Sequence, residues 1–246
     1  MTQNEAPDFI VAIPARYAAS RLPGKPLRLL GGEPLIAHVA RRALAAGARE
    51  VWVAADDERI ASTLEGEGVR IAMTAPELAS GTDRLAECAR IAGWGERTIV
   101  VNLQGDFPTI TPDIIRAALP PLDDPAVDIS TLAAQIHTEE EDQAPSVVKA
   151  VGSPISKRRL RALYFTRATA PYGDGPLYHH IGIYAFPRAA LSRFVSLSPS
   201  PLERREKLEQ LRALEAGMRI HVALVDTVPL GVDTPADLSR AREILA

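Results

Sequence analysis

Three segments of the 246-residue chain carry charged side chains where phosphate chemistry could use them. The first runs Ile13-Pro14-Ala15-Arg16-Tyr17-Ala18-Ala19-Ser20-Arg21-Leu22-Pro23-Gly24-Lys25-Pro26-Leu27. It sets Arg16, Arg21 and Lys25 among small residues that let a backbone approach a ligand. An arginine grips phosphate with two donors, and a lysine adds a point charge. The segment is not a Walker loop, since it lacks Gly-x4-Gly-Lys-Ser/Thr. A solvated basic loop has the same composition, so the segment by itself leaves both readings open.

The second segment is Val100-Val101-Asn102-Leu103-Gln104-Gly105-Asp106-Phe107-Pro108. An apolar run stops at Gly105, which permits a sharp turn, and Asp106 follows it. A hard carboxylate oxygen there suits magnesium, which pairs protein carboxylates with phosphates and water. An Asx turn or a helix cap would use the same residue. The third segment is Gly231-Val232-Asp233-Thr234-Pro235-Ala236-Asp237-Leu238. Pro235 fits the first turn of a helix, which makes Asp233 or Thr234 a natural N-cap. Alternatively, Asp233 meets Asp106 as the second carboxylate of a magnesium site.

These segments need elements to hold them. Asp8–Pro14 is a short, nearly continuous apolar run, as in a parallel strand buried on both faces. Residues 34–48 repeat apolar side chains at helical spacing, and Val51–Ala55 is a second strand. Asp57–Glu67 is a helix, Val69–Met73 a weaker strand, Thr82–Ala92 a helix capped by Ser80 or Thr82, and Arg97–Leu103 a strand. This alternation predicts an α/β fold with a doubly wound, mostly parallel sheet between two layers of helices. Ligands of such sheets sit at the carboxyl ends of strands, where all three charged segments fall. Beyond residue 125 the alternation breaks. Strands are expected at 129–136, 146–151, 162–166, 178–186 and 219–225, and helices at 202–215 and 235–245. We expect one continuous domain over 1–246 with an inserted subdomain over about 125–215.

Composition excludes several classes. Hydrophobic residues make up 46%, charged residues 24%, and the net charge is −3. No chain-wide basic field points to nucleic acid or an acidic membrane. Cys88 stands alone, inside a predicted helix, and reads as a small buried hydrophobe. No zinc spacing appears. The apolar stretch Phe9–Ile13 is too short for a signal peptide or a membrane span, which makes the cytoplasm the expected location.

Taken in order, the three segments resemble the 3-deoxy-manno-octulosonate (Kdo) cytidylyltransferase family. Ser80-Gly81-Thr82-Asp83-Arg84-Leu85-Ala86-Glu87, Leu163-Tyr164-Phe165-Thr166-Arg167-Ala168, His180-Ile181-Gly182-Ile183-Tyr184, and Ser198-Pro199-Ser200-Pro201-Leu202-Glu203 with Leu208-Glu209-Gln210-Leu211-Arg212 extend the likeness from about Phe9 onward. The resemblance implies the nucleotide-diphospho-sugar transferase fold and a subdomain that helps form a homodimer. It implies CMP transfer from CTP to Kdo with release of pyrophosphate, magnesium dependence, and a role in lipopolysaccharide precursor synthesis.

It also implies roles for particular residues. Arg16, Arg21 and Lys25 would contact the nucleotide, with Arg21 and Lys25 on the triphosphate as catalytic cations. Ala15, Ser80, Gly81 and Gln104 would line the cytidine pocket. Asp106 and Asp233 would ligate magnesium. Arg84, His180, Tyr184, Glu209 and Gln210 would hold the sugar acid. Two departures stand out: Phe107 occupies a position where the family commonly has glutamate, and the connection Pro171–Pro176 is shorter than usual. Other acceptors, such as a sialic acid, an 8-amino Kdo or a hexose 1-phosphate, remain alternatives, as does a nucleotide-binding module without catalysis.

Overall fold

The structure, a computed structural model, describes residues 8–18 and 22–245. The chain divides into two compact units: one runs to Ile115 and takes in Pro229 onward, and the other is Arg116–Val228.

In the first unit, β1 (Phe9–Ala15) is flanked by parallel strands. A small hairpin of β2 (Leu29–Leu30) and β3 (Glu33–Pro34) follows, then β4 (Glu50–Ala55), β5 (Arg70–Met73) and β6 (Ile99–Asn102). The order is β5-β4-β1-β6. Ile10 pairs with Glu50 on one side and Val100 on the other. Successive residues of a strand face opposite ways. All of Ile10, Val11, Ala12 and Ile13 are 0% exposed, so both faces of β1 are covered. Helices α1 (Leu35–Ala45) and α3 (Gly81–Ala92) pack on β1, α2 (Glu58–Thr63) packs on β4 and β5, and α4 (Pro112–Ala117) follows β6. Cys88 on α3 is 0% exposed, and burial pushes its thiol up to about 12, so it is an inert core residue.

The second unit is a mixed sheet. Its strands are β7 (Ile129–Gln135), β8 (Lys149–Ser156), β9 (Arg159–Thr166), β10 (Tyr178–Pro187) and β11 (Ile220–Val225). Their order is β10-β7-β11-β9-β8, and only β7 and β11 run parallel. The helices are α5 (Glu139–Gln143), α6 (Arg188–Ser196), α7 (Pro201–Glu206) and α8 (Gln210–Glu215). The single helix expected over 202–215 is thus two. Lys207 takes φ +59°, and its N–H closes on the Glu203 carbonyl, which ends α7.

The chain then returns to the first unit as α9 (Pro235–Leu245), which Arg242 ties to the Leu29 carbonyl at 3.1 Å. Among the described residues, no helix is long and apolar enough to cross a membrane.

Candidate functional site

The carboxyl end of β1 opens into the basic loop, and the loop is pinned at its root. The Tyr17 N–H donates to Asp56 Oδ1 at 2.8 Å, just past the end of β4. The Tyr17 carbonyl accepts from Gly24 N–H at 3.1 Å. Gly24 takes φ +66°, and the Tyr17 ring lies 3.6 Å from where its Cβ would stand. The Arg59 guanidinium stacks on that ring at 3.6 Å from its centroid. Lys25 then begins a 3-10 turn, Lys25–Leu27.

At the end of β6 the chain passes unusually close to β1. A Cβ on Gly105 would stand 3.0 Å from the Pro14 carbonyl oxygen and 3.4 Å from Ile36 Cδ1. Gly105 therefore serves close backbone approach. Its turn presents Asp106, whose carbonyl accepts from Val232 N–H at 2.9 Å. That bond brings in the third segment. Thr234 takes the helix-cap role: its hydroxyl accepts from Asp237 N–H at 3.2 Å, and Asp237 accepts from Thr234 N–H at 2.9 Å. With the cap assigned to Thr234, the Asp233 carboxylate turns to Lys25.

Lys25 Nζ lies 3.1 Å from Asp106 Oδ2 and 3.0 Å from Asp233 Oδ1. Burial disfavours its charge, but the two carboxylates outweigh burial and raise its pKa. Burial pushes the Asp106 carboxyl up, and Asp233 adds to this while Lys25 opposes it. Asp106 Oδ1 is buried with no hydrogen-bond partner among the described residues.

A cleft of about 400 Å³ surrounds this group. Ala15, Arg16 and Lys25 line one side, and Gln104, Asp106 and Asp233 another. Ser80, Gly81 and Arg84 line it from α3. Nine residues expected to act thus border one cleft, while Arg21 lies outside the described residues. Ser80 spends its side chain on the α3 capping box with Asp83, so it offers the cleft its backbone. The helix N-terminus behind it favours anions.

Arg84 is tied down within the unit. Its Nη2 donates to Asp56 Oδ2 at 3.3 Å and its Nη1 to Thr74 Oγ1 at 2.5 Å, with both charged side chains no more than 6% exposed. Asp56 and Thr74 were not singled out from the sequence. Asp56 follows an apolar strand just as Asp106 does, and that position was the available signal.

The other residues expected on the sugar lie in the second unit. His180 and Tyr184 are on β10, and Glu209 and Gln210 open α8. The His180 ring sits 5.6 Å from Tyr184 and 4.8 Å from Phe165 between centroids. The Thr131 hydroxyl donates to the Ile183 carbonyl at 2.8 Å, so it accepts from His180 Nε2, 2.9 Å away, which assigns the Nε2-protonated tautomer. Burial, followed by Glu209, pushes the Tyr184 phenol up and keeps it neutral. Gln210 is 5% exposed, and its Nε2 has no partner among the described residues.

Burial, with a smaller push from His179, depresses His180 to about 3 against an ordinary 6.5. The unfolded chain therefore takes up a proton below pH 6.5 that the folded chain refuses, and stability falls as pH drops from 6.5 toward 3. We expect His180→Gln to remove about 2 kcal/mol of the stability lost between pH 7.5 and 5. Urea titrations of both proteins at the two pH values measure it. An unchanged difference between the proteins contradicts the assignment.

A basic loop, paired carboxylates and a helix N-terminus around one cleft at the carboxyl edge of a parallel sheet define a nucleotidyltransferase-type site. The comparisons agree. Residues 10–220 match the cytidylyltransferase family model. A 3-deoxy-manno-octulosonate cytidylyltransferase of Bradyrhizobium diazoefficiens is 64% identical over 241 residues, covering 98% of each chain. One from Rhodopseudomonas palustris is 65% identical over 238 residues, covering 96% of this chain and 97% of the other. A solved CMP:2-keto-3-deoxy-manno-octonic acid synthetase complexed with CTP superposes with a TM-score of 0.88 at 41% identity, covering 97% and 98%. A UDP-glucose pyrophosphorylase, 12% identical with a TM-score of 0.72 over 96% and 98%, shares the fold alone. The chain belongs to the 3-deoxy-manno-octulosonate cytidylyltransferase family.

Proposed function

We propose that the protein transfers the cytidylyl group of CTP to Kdo, releasing pyrophosphate and forming CMP-Kdo for lipopolysaccharide precursors, with magnesium as cofactor. One observation carries the reading: Lys25, Asp106 and Asp233 meet in a cleft bordered by the basic loop and the start of α3. The C2 hydroxyl oxygen of Kdo attacks the α-phosphorus, and a new P–O bond forms. The bond to the bridging oxygen breaks, and pyrophosphate leaves with the electron pair. The hydroxyl proton passes to a base. No covalent enzyme intermediate is needed, so positioning and electrostatics carry the rate.

Arg16, Arg21 and Lys25 supply positive charge to the triphosphate as charge grows on the leaving group. Ala15, Gln104 and the backbone of Ser80 and Gly81 hold the cytidine. Asp106 and Asp233 would hold magnesium. The orphaned Asp106 Oδ1 and the ammonium already seated between the carboxylates fit a cation there. Bound there, magnesium supplies Lewis-acid polarisation of the α-phosphate. The neutral His180, the Tyr184 hydroxyl, the Gln210 amide, Glu209 and Arg84 suit a hydroxyl-rich sugar acid.

The enzyme would work in the cytoplasm as a homodimer. Support for the dimer comes from exposed apolar side chains of the second unit, Ile155 (44%), Leu163 (53%) and Tyr172. Pyrophosphate release is expected only with CTP, Kdo and magnesium together. Release with another sugar acid but not Kdo would move the acceptor, and release with a hexose 1-phosphate would replace the attacking group. A monomer mass in sedimentation would remove the dimer.

A further inference from the structure

Lys25 is engaged by carboxylates before any phosphate is present. Its ammonium donates to two carboxylates from the two separate segments of the first unit, at 3.1 Å to Asp106 Oδ2 and 3.0 Å to Asp233 Oδ1. These are the same carboxylates to which the magnesium reading assigns the metal, and the inference rests on that reading. Magnesium approaches its oxygens to about 2.0–2.1 Å. An ammonium held 3 Å from the same carboxylate oxygens and a divalent cation between them would crowd one another and repel. One must withdraw when the other binds.

The ligand count points the same way. Among the described residues, no group of three or more His, Cys, Asp or Glu is placed to hold a metal. Two carboxylates are a minority of the roughly six oxygens magnesium requires, and substrate phosphates and water ordinarily supply the rest. Without nucleotide, a divalent cation therefore meets an incomplete ligand set and a competing ammonium. Lysine suits such a role, because it carries a point charge on a flexible four-carbon stem. Lys25 also starts its turn next to Gly24, on the loop that would meet the phosphates.

We propose that Lys25 is a placeholder cation. Its ammonium neutralises Asp106 and Asp233 until a divalent cation arrives with the nucleotide, and it is then released to the phosphates. Metal and nucleotide thereby bind as partners, and the carboxylate pair is never left bare.

The test counts Mn2+ bound at equilibrium, from the electron paramagnetic resonance signal of the free ion. It uses wild type, Lys25→Met and Lys25→Arg, each with and without CTP, and the Mn2+ held by the same CTP without protein is subtracted. A binding position open only part of the time loses affinity by the open fraction. If Lys25 leaves the carboxylates in about one molecule in ten, Lys25→Met binds Mn2+ alone about tenfold more tightly than wild type. Lys25→Arg, which keeps the charge, stays as weak as wild type. CTP strengthens Mn2+ binding in wild type by more than it does in Lys25→Met.

Thermal melting provides a second readout. Lys25→Met melts lower than wild type without divalent ions and recovers with Mn2+, and the double variant with Asp106→Asn shows no recovery. Equal Mn2+ affinity of wild type and Lys25→Met without CTP overturns the placeholder role while leaving the magnesium reading intact. No Mn2+ binding by wild type even with CTP overturns both.

Discussion

Asp106→Asn protein is expected to release pyrophosphate from CTP and Kdo about 100-fold more slowly than wild type, or slower still, through loss of a principal electrostatic group. The substitution keeps the shape of the side chain, and the backbone bond from Val232 N–H to the residue 106 carbonyl does not depend on it. What it removes is the charge that faces Lys25 and would face magnesium. The fold should tolerate the change, because burial already works against a charged carboxyl at this position. A melting temperature at or near the wild-type value, beside the rate loss, would separate chemistry from folding. Near-normal turnover would remove Asp106 from the mechanism.

Lys149→Met is expected to destabilise the protein by about 2–4 kcal/mol. Lys149 is 0% exposed, and its ammonium donates to the carbonyls of Ala144 (3.0 Å), Val147 (3.0 Å) and Arg167 (3.4 Å). It ties the turn ahead of β8 to the end of β9. Burial pushes its pKa down, with Asp142 opposing, so the three carbonyls are what make the buried charge tolerable. Methionine fills most of the same volume but leaves those oxygens without their donor. The loss is read as a lower urea midpoint. A change below about 0.5 kcal/mol, the usual size for an uninvolved surface residue, would mean that water takes over the three bonds.

The first unit was largely legible because its strands are continuous apolar runs followed directly by polar residues. The strand expected at Asp8–Pro14 is β1 at Phe9–Ala15, and that expected at Val51–Ala55 is β4 at Glu50–Ala55. Helix boundaries were set by caps: Ser80 caps α3, and Thr234 rather than Asp233 caps α9. The helix expected over 57–67 stops at Thr63, because Gly66 and Gly68 both take positive φ. The second unit resisted more. β8 runs on to Ser156 through Gly152 and Pro154, residues that argue against a strand, because its register with β9 shifts at both. α6 was missed altogether. Its nine residues follow directly from the apolar end of β10, so no turn signal separates them.

Within the site, the charged residues were legible by type and by place after strands. Their connections were not. Asp56 holds the loop through a backbone N–H, and Arg84 serves Asp56; neither bond has a signature in residue spacing. Gly105 sits in the turn expected of it, but its close approach to the Pro14 carbonyl had no signature in the sequence.

Lys25 and Asp233 touch across 208 residues of chain. During synthesis, a chain that has emerged only as far as Val228 already holds the basic loop and Asp106, but not the second carboxylate. Such an intermediate holds Asp106 and Lys25 as a simple pair and has half of the proposed metal ligands. On the proposed metal site, competence would appear late and all at once, when the last segment brings Val232 N–H to the Asp106 carbonyl. By the same proposal, a chain cut short by stalling or proteolysis before Asp233 would lack the second carboxylate and would not spend CTP unproductively.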